Sequence, residues 1–168
     1  MIEKFKTLFF VKISLISLYL ALTIPIPFLS INELKVISIF IFVLGLIFII
    51  SITSDYVEIS NTKISYKTTL LSKIFGKISW EILWTDIKLI KSLKTSQGSK
   101  VYYFTTKEEK NFLVPQRLEN FEKFKQIISE KTSLNVDSLS YISPLWTYQL
   151  LTLISVLMAI GELIAFSV

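Results

Sequence analysis

Three apolar blocks, near residues 8–29, 36–52 and 145–168, restrict this chain of 168 residues more than anything else in it. Each is close to the run of about 20 apolar residues that crosses a bilayer core as a helix. The stretch between the second and third, from Asp55 to Tyr141, has ordinary globular polarity. The 52% of hydrophobic residues is therefore concentrated rather than spread. The sequence predicts an N-terminal transmembrane hairpin over 1–54, an extramembrane domain over 55–141 and a C-terminal transmembrane helix over 142–168. The middle part is small but long enough for one modest core.

The first block reads LFFVKISLISLYLALTIPIPFLS. Pro25 and Pro27 lack amide protons and crowd the preceding turn. A span over 8–24 followed by an extended exit is expected. Lys12 lies near its start and can snorkel to the headgroups. A basic start and an apolar run also fit a signal peptide, but no small-x-small cleavage site follows and a second span comes at once. That second span, over 36–52, carries no charge. The link SINELK is short enough to force a hairpin, so residues 1 and 55 should share one face. Lys4, Lys6 and a middle domain with 14 Lys/Arg against 10 Asp/Glu lie on that face. The positive-inside rule makes it cytoplasmic. In the third block Trp146 and Tyr148 stand where an interfacial aromatic anchor belongs, and the C-terminus is expected on the opposite face. Glu162 is an ionisable group inside a span, which marks a functional candidate by default. It either reaches the far headgroups or contacts a buried partner.

The chain has no cysteine and no histidine. Disulfides, thiolate or imidazole metal sites and Ser/His/Asp or Cys/His catalytic centres are excluded. No glycine-rich phosphate loop can be built from Gly45, Gly76, Gly98 and Gly161. No cofactor and no catalytic residue is expected. Asp55, Asp137 and Glu162 are the acids near span mouths, and they do not share a face of the membrane. The net charge of +5 is modest, and a domain confined to a membrane is a poor candidate for nucleic acid.

In the middle domain, Ile78–Leu93 (ISWEILWTDIKLIKSL) fits two periods. Trp80, Leu83, Trp84, Ile87 and Ile90 have helical spacing, whereas Ile78, Trp80, Ile82 and Trp84 alternate as in a strand. The neighbours favour strands. YVEIS (56–60), KISYKT (63–68), VYYFTT (101–106) and NFLVP (111–115) are short alternating runs bounded by turns. They would lack central partners if 78–93 were helical. With ISWEI (78–82) and IKLIKSL (87–93), six strands are expected. RLENFEKFKQIISEK (117–131) then puts Leu118, Phe121, Phe124, Ile127 and Ile128 on one helical face.

This order resembles the bacterial PH-like (pleckstrin-homology-like) domain of small membrane proteins. The resemblance rests on the opening DYVEISNTKISYKT, on Trp84, Asp86, Ile87 and Ile90 as W-x-D-I-x-x-I, and on VYYFTTKEEKNFLVP leading into RLENFEKFKQII. It implies an α+β fold: a strongly bent antiparallel sheet or barrel of seven strands capped by a helix, with the seventh strand sought in 69–76. A transmembrane hairpin ahead of such a domain is also similar to the Ycf4 family of photosystem I assembly factors, from which the third span departs.

Lys63, Lys67, Lys73 and Lys77 fall between Ile59 and Trp80 with no acid among them. They form a candidate basic edge toward lipid or a partner; solubilising lysines on a sheet are the plain alternative. Trp80 and Trp84 are candidate anchors for a protein partner or ordinary core residues. Asp86 reads as a turn residue. The expected function is that of a non-enzymatic integral membrane protein that scaffolds, assembles or forms a small subunit of a membrane complex. Its partners would be membrane lipids and another membrane protein. The alternative is a module that senses anionic lipid or envelope stress.

Overall fold

The computed structural model describes residues 2–167. The chain forms two compact units. One comprises the residues up to Leu8 together with Ser54–Pro144; the other comprises Phe9–Thr53 and the residues from Leu145 onward.

The helical unit holds α1 (Phe9–Thr23), α2 (Pro25–Leu29), α3 (Lys35–Ile52) and α6 (Leu145–Ser167). Three helical stretches, Phe9–Leu29, Lys35–Ile52 and Leu145–Phe166, are long and apolar enough to cross a membrane. The segment after Ile24 was expected to be extended and is instead helical. Ile24 keeps right-handed helical angles and Pro25 opens α2 as its first residue, a position where the missing amide proton costs nothing. Helix α1 packs through small side chains: Ser14, Ser17 and Ala21 are buried along it. Such residues let helices approach closely in lipid. On its α3 side, Tyr19 donates a hydrogen bond to the Phe42 carbonyl at 2.7 Å, and Gly45 leaves room for the Tyr19 ring. Near the ends of α2 and α6, Phe28 and Phe166 stack at 5.0 Å.

The other unit contains seven strands among its described residues, in two open antiparallel sheets rather than a closed barrel. Strands β1 (Glu3–Lys6), β2 (Tyr56–Ile59), β3 (Lys63–Lys67) and β4 (Trp80–Leu83) form the first, in that order. Strands β5 (Ile87–Lys94), β6 (Lys100–Thr106) and β7 (Asn111–Leu113) form the second. The stretch 78–93 is thus extended, broken at Trp84–Asp86 by one 3-10 turn. The seventh strand is not in 69–76, where the short helix α4 (Leu70–Ile74) lies. It is β1, from the N-terminal residues expected to belong to the hairpin. Glu3 to Lys6 pair with Ile59 to Tyr56, so the residues before the first span and those after the second share one sheet.

Helix α5 (Phe121–Thr132) covers the core with Phe121, Phe124 and Ile128. It starts four residues later than its apolar pattern suggests because the backbone of 117–119 is already engaged. Leu8 donates to the Arg117 carbonyl at 2.7 Å and Glu119 to the Lys6 carbonyl at 3.0 Å. Phe5, Val57, Ile64, Ile82, Tyr102, Phe104, Val114 and Leu118 complete one continuous core with that helix. The Tyr102 hydroxyl donates to the Ser138 carbonyl and ties the segment after α5 to β6.

Candidate functional site

The described residues bring no three His, Cys, Asp or Glu side chains together as metal ligands. The polar chemistry gathers instead around Asp55, buried to 3% exposure just after α3. Its Oδ1 accepts from the Thr69 amide at 3.0 Å and the Ser72 hydroxyl at 2.9 Å. Its Oδ2 accepts from the Tyr66 hydroxyl at 3.1 Å and from Lys77 Nζ at 2.6 Å. The Asp55 carbonyl accepts from the Thr7 hydroxyl at 2.9 Å. A buried carboxylate is tolerated only when it is paired and hydrogen-bonded in this way. Burial first, then the neighbouring Asp55 charge, pushes the Tyr66 phenol well above its ordinary value, so it stays a donor. Sequence reasoning treated Asp55 as the first residue of the domain and as one of three acids near span mouths. No local pattern singled out its pairing with Lys77, 22 residues on.

The four lysines of the expected basic edge therefore separate. Lys77 serves Asp55. Lys63 and Lys67, on β3, both reach Glu81 of β4, at 2.7 Å and 3.7 Å. Lys73 sits exposed on α4 and has no ion pair among the described residues. Glu81 also accepts from the Ser65 hydroxyl at 3.1 Å. The Lys63 hydrogen bond, then that of Ser65, holds the Glu81 carboxyl below its ordinary 4.5. A depressed carboxyl stabilises the fold above its unfolded value, and that contribution is lost as pH falls through the folded one. An NMR titration should therefore place the Glu81 midpoint below 4.5, and Lys63→Met should raise it. An unshifted midpoint would break the link between β3 and β4 inferred here.

The two tryptophans part company. Trp84 lies in the core, and its indole donates to the Ser60 carbonyl at 3.0 Å. It is thus not part of any surface. Trp80 is half-buried and spans the two sheets, with ring centroids 6.0 Å from Tyr66, 6.1 Å from Phe104 and 5.8 Å from Phe112. Beside it runs an open, mainly apolar groove of ≈ 590 Å³ lined by Tyr66, Ile78, Trp80, Phe112, Leu113 and Pro115 among others. The groove lies between β4 and β7, each the outer strand of its own sheet.

In the helical unit, Glu162 Oε2, Tyr148 Oη and Ser155 Oγ are buried without a hydrogen-bond partner among the described residues. Their spacing of seven residues puts all three on one stripe of α6. Lys12 is half-buried near the start of α1.

No family model matches the chain, and no solved structure matches it. Among curated proteins it is similar to the uncharacterized protein slr0269 of Synechocystis sp. (strain ATCC 27184 / PCC 6803 / Kazusa). The two are 29% identical over 154 residues, which cover 88% of this chain and 77% of the relative. The likeness is thus distant, to a bacterial protein, and spans most of the chain.

Proposed function

We propose that the chain is a non-enzymatic integral membrane protein whose extramembrane domain is a PH-like module that holds another membrane protein, as a scaffold, assembly factor or small subunit. Seven strands and a closing helix support that reading, although the strands form two open sheets rather than the single bent sheet or barrel that the resemblance implies. Here the transmembrane hairpin is inserted between β1 and β2. The basic N-terminal strand and domain favour the cytoplasmic face by the positive-inside rule.

The observation that carries the reading is the groove between β4 and β7. Outer strands present unpaired backbone groups, and an extended segment can add to them while its side chains fill the pockets alongside. Ile78, Trp80, Phe112 and Leu113 supply the apolar contacts. Of the two tryptophans, Trp80, beside this groove, is the one assigned the partner contact. Gentle extraction, native-size separation and mass spectrometry test this. We expect co-migration with a defined membrane complex that persists in high salt and is lost in Leu113→Asp, a substitution at a side chain 50% exposed. Migration alone at small size, or a complex indifferent to Leu113→Asp, would count against it.

A further inference from the structure

The connection from β3 to β4 has no role in the groove beyond its last residues, yet it is the most conspicuous surface of the extramembrane unit. Residues 70–78 read LLSKIFGKI. Leu70, Ile74, Phe75 and Ile78 are 66–80% exposed, more than any other large apolar side chain described in that unit, where Ile2 follows at 62%. A cluster of this kind marks an interaction site.

The segment is also built. Thr69 caps α4, its hydroxyl oxygen accepting from the Ser72 amide at 3.2 Å. Ser72 is fully buried against Asp55. Gly76, at φ +82, closes the turn. Its amide donates to the Lys73 carbonyl at 3.0 Å, and that of Lys77 to the Ser72 carbonyl at 3.0 Å. Such a left-handed glycine stop satisfies the last carbonyls of a helix. The fold thus holds a short wedge with its apolar side chains turned outward.

Two further observations identify what covers it. The first is charge. No acid occurs from Ile59 to Trp80, and Lys73, in the middle of the wedge, is exposed. Large apolar groups with interleaved lysine make an interfacial segment that prefers anionic lipid. The second is the length of the chain. Asp55, which binds both Thr69 and Ser72, is three residues beyond Ile52, the last residue of α3. Three residues reach at most about 10 Å, so the cap of α4 is leashed to the end of a candidate span.

We propose that residues 70–78 are a membrane-inserting wedge, burying Leu70, Ile74 and Phe75 in the interfacial layer of an anionic leaflet with Lys73 at the phosphates. The proposal rests on the reading that α3 spans the membrane. It does not depend on the scaffold role.

The absence of native cysteine makes the test direct. The full chain carrying Phe75→Cys, labelled with an environment-sensitive fluorophore, is reconstituted in vesicles of phosphatidylcholine, alone or mixed with phosphatidylglycerol. Probes at Lys107→Cys, on the exposed turn after β6, and Ile41→Cys, within α3, serve as references. In the mixed vesicles the probe at 75 should be quenched several-fold more by nitroxide-bearing lipid than the probe at 107. Lys73→Glu, or omission of phosphatidylglycerol, should lower that quenching. Ready quenching by aqueous iodide would overturn the proposal. So would shielding from iodide without quenching by lipid, which would assign the wedge to a protein surface. Equal insertion in neutral and mixed vesicles would overturn the anionic preference. Failure of lipid to quench the probe at 41 would instead remove the spanning premise.

Discussion

Phe5→Ala should remove about 3–4 kcal/mol from the stability of the unit that holds the two sheets, although Phe5 lies some fifty residues from the strands it supports. The side chain is 4% exposed. Its ring meets Phe124 of α5 edge-on, at 5.5 Å between centroids, and belongs to the core that includes Val57. Truncating a buried phenylalanine loses its transfer free energy and leaves a cavity, together about 3–5 kcal/mol. A domain of this size has about 5–15 kcal/mol in all, so the loss is a large share. Urea unfolding of the full chain in mild detergent, followed through Trp80 and Trp84, reads it. Lys4→Ala and Lys6→Ala, at exposed positions of the same strand, should change the midpoint by about 0.5 kcal/mol or less. A Phe5→Ala midpoint equal to that of Lys4→Ala would mean that β1 is not held in the sheet in solution.

That contrast also marks where sequence reading succeeds and where it stops. The three apolar blocks declare themselves by length and by carrying at most one charge each, the pattern lipid tolerates. The strands of 78–93 were legible because their neighbours needed partners, and α5 because its apolar face repeats over several turns. Strand β1 was not legible. EKFK offers four residues with one apolar side chain between charges, too few for any period to emerge, and its identity comes only from pairing with Tyr56–Ile59. Its lysines instead suggested a basic tail. The late start of α5 has the same origin: the backbone of 117–119 bonds to Lys6 and Leu8, which no local pattern reveals. The exit at Pro25 failed for a different reason. Proline breaks a helix it interrupts but begins one readily, and the residue pattern does not distinguish the two.

The Asp55 cluster was illegible for the same reason as β1, and it yields the second large effect. Asp55→Ala should cost about 3 kcal/mol, localised first in residues 69–79. Four donors lose their acceptor at once: the Thr69 amide, the Ser72 hydroxyl, the Tyr66 hydroxyl and Lys77 Nζ. Hydrogen bonds to a charged group contribute about 1.5–3 kcal/mol each. Their sum overstates the loss, because Lys77 has a side chain 44% exposed and can turn to water, whereas Ser72 cannot. Lys77→Met should cost about 1–2 kcal/mol, because the Asp55 carboxylate keeps its bonds from Thr69, Ser72 and Tyr66 but is then buried without a counter-charge. Asp55→Asn should fall between the two, since its carbonyl can still accept from Thr69 and Ser72 while its amide confronts the donors of Tyr66 and Lys77. Hydrogen exchange on the full chain separates the levels. Amides of 69–77 should lose protection in Asp55→Ala while those of β6 keep most of theirs. Unchanged protection at Ser72 would remove Asp55 as the organiser of the wedge. The expected order, Ala worse than Asn and Asn worse than the lysine change, follows from a carboxylate that does more than neutralise a lysine: it also accepts from Thr69, Ser72 and Tyr66, and so fixes α4 to β3 and to the residues that open β2.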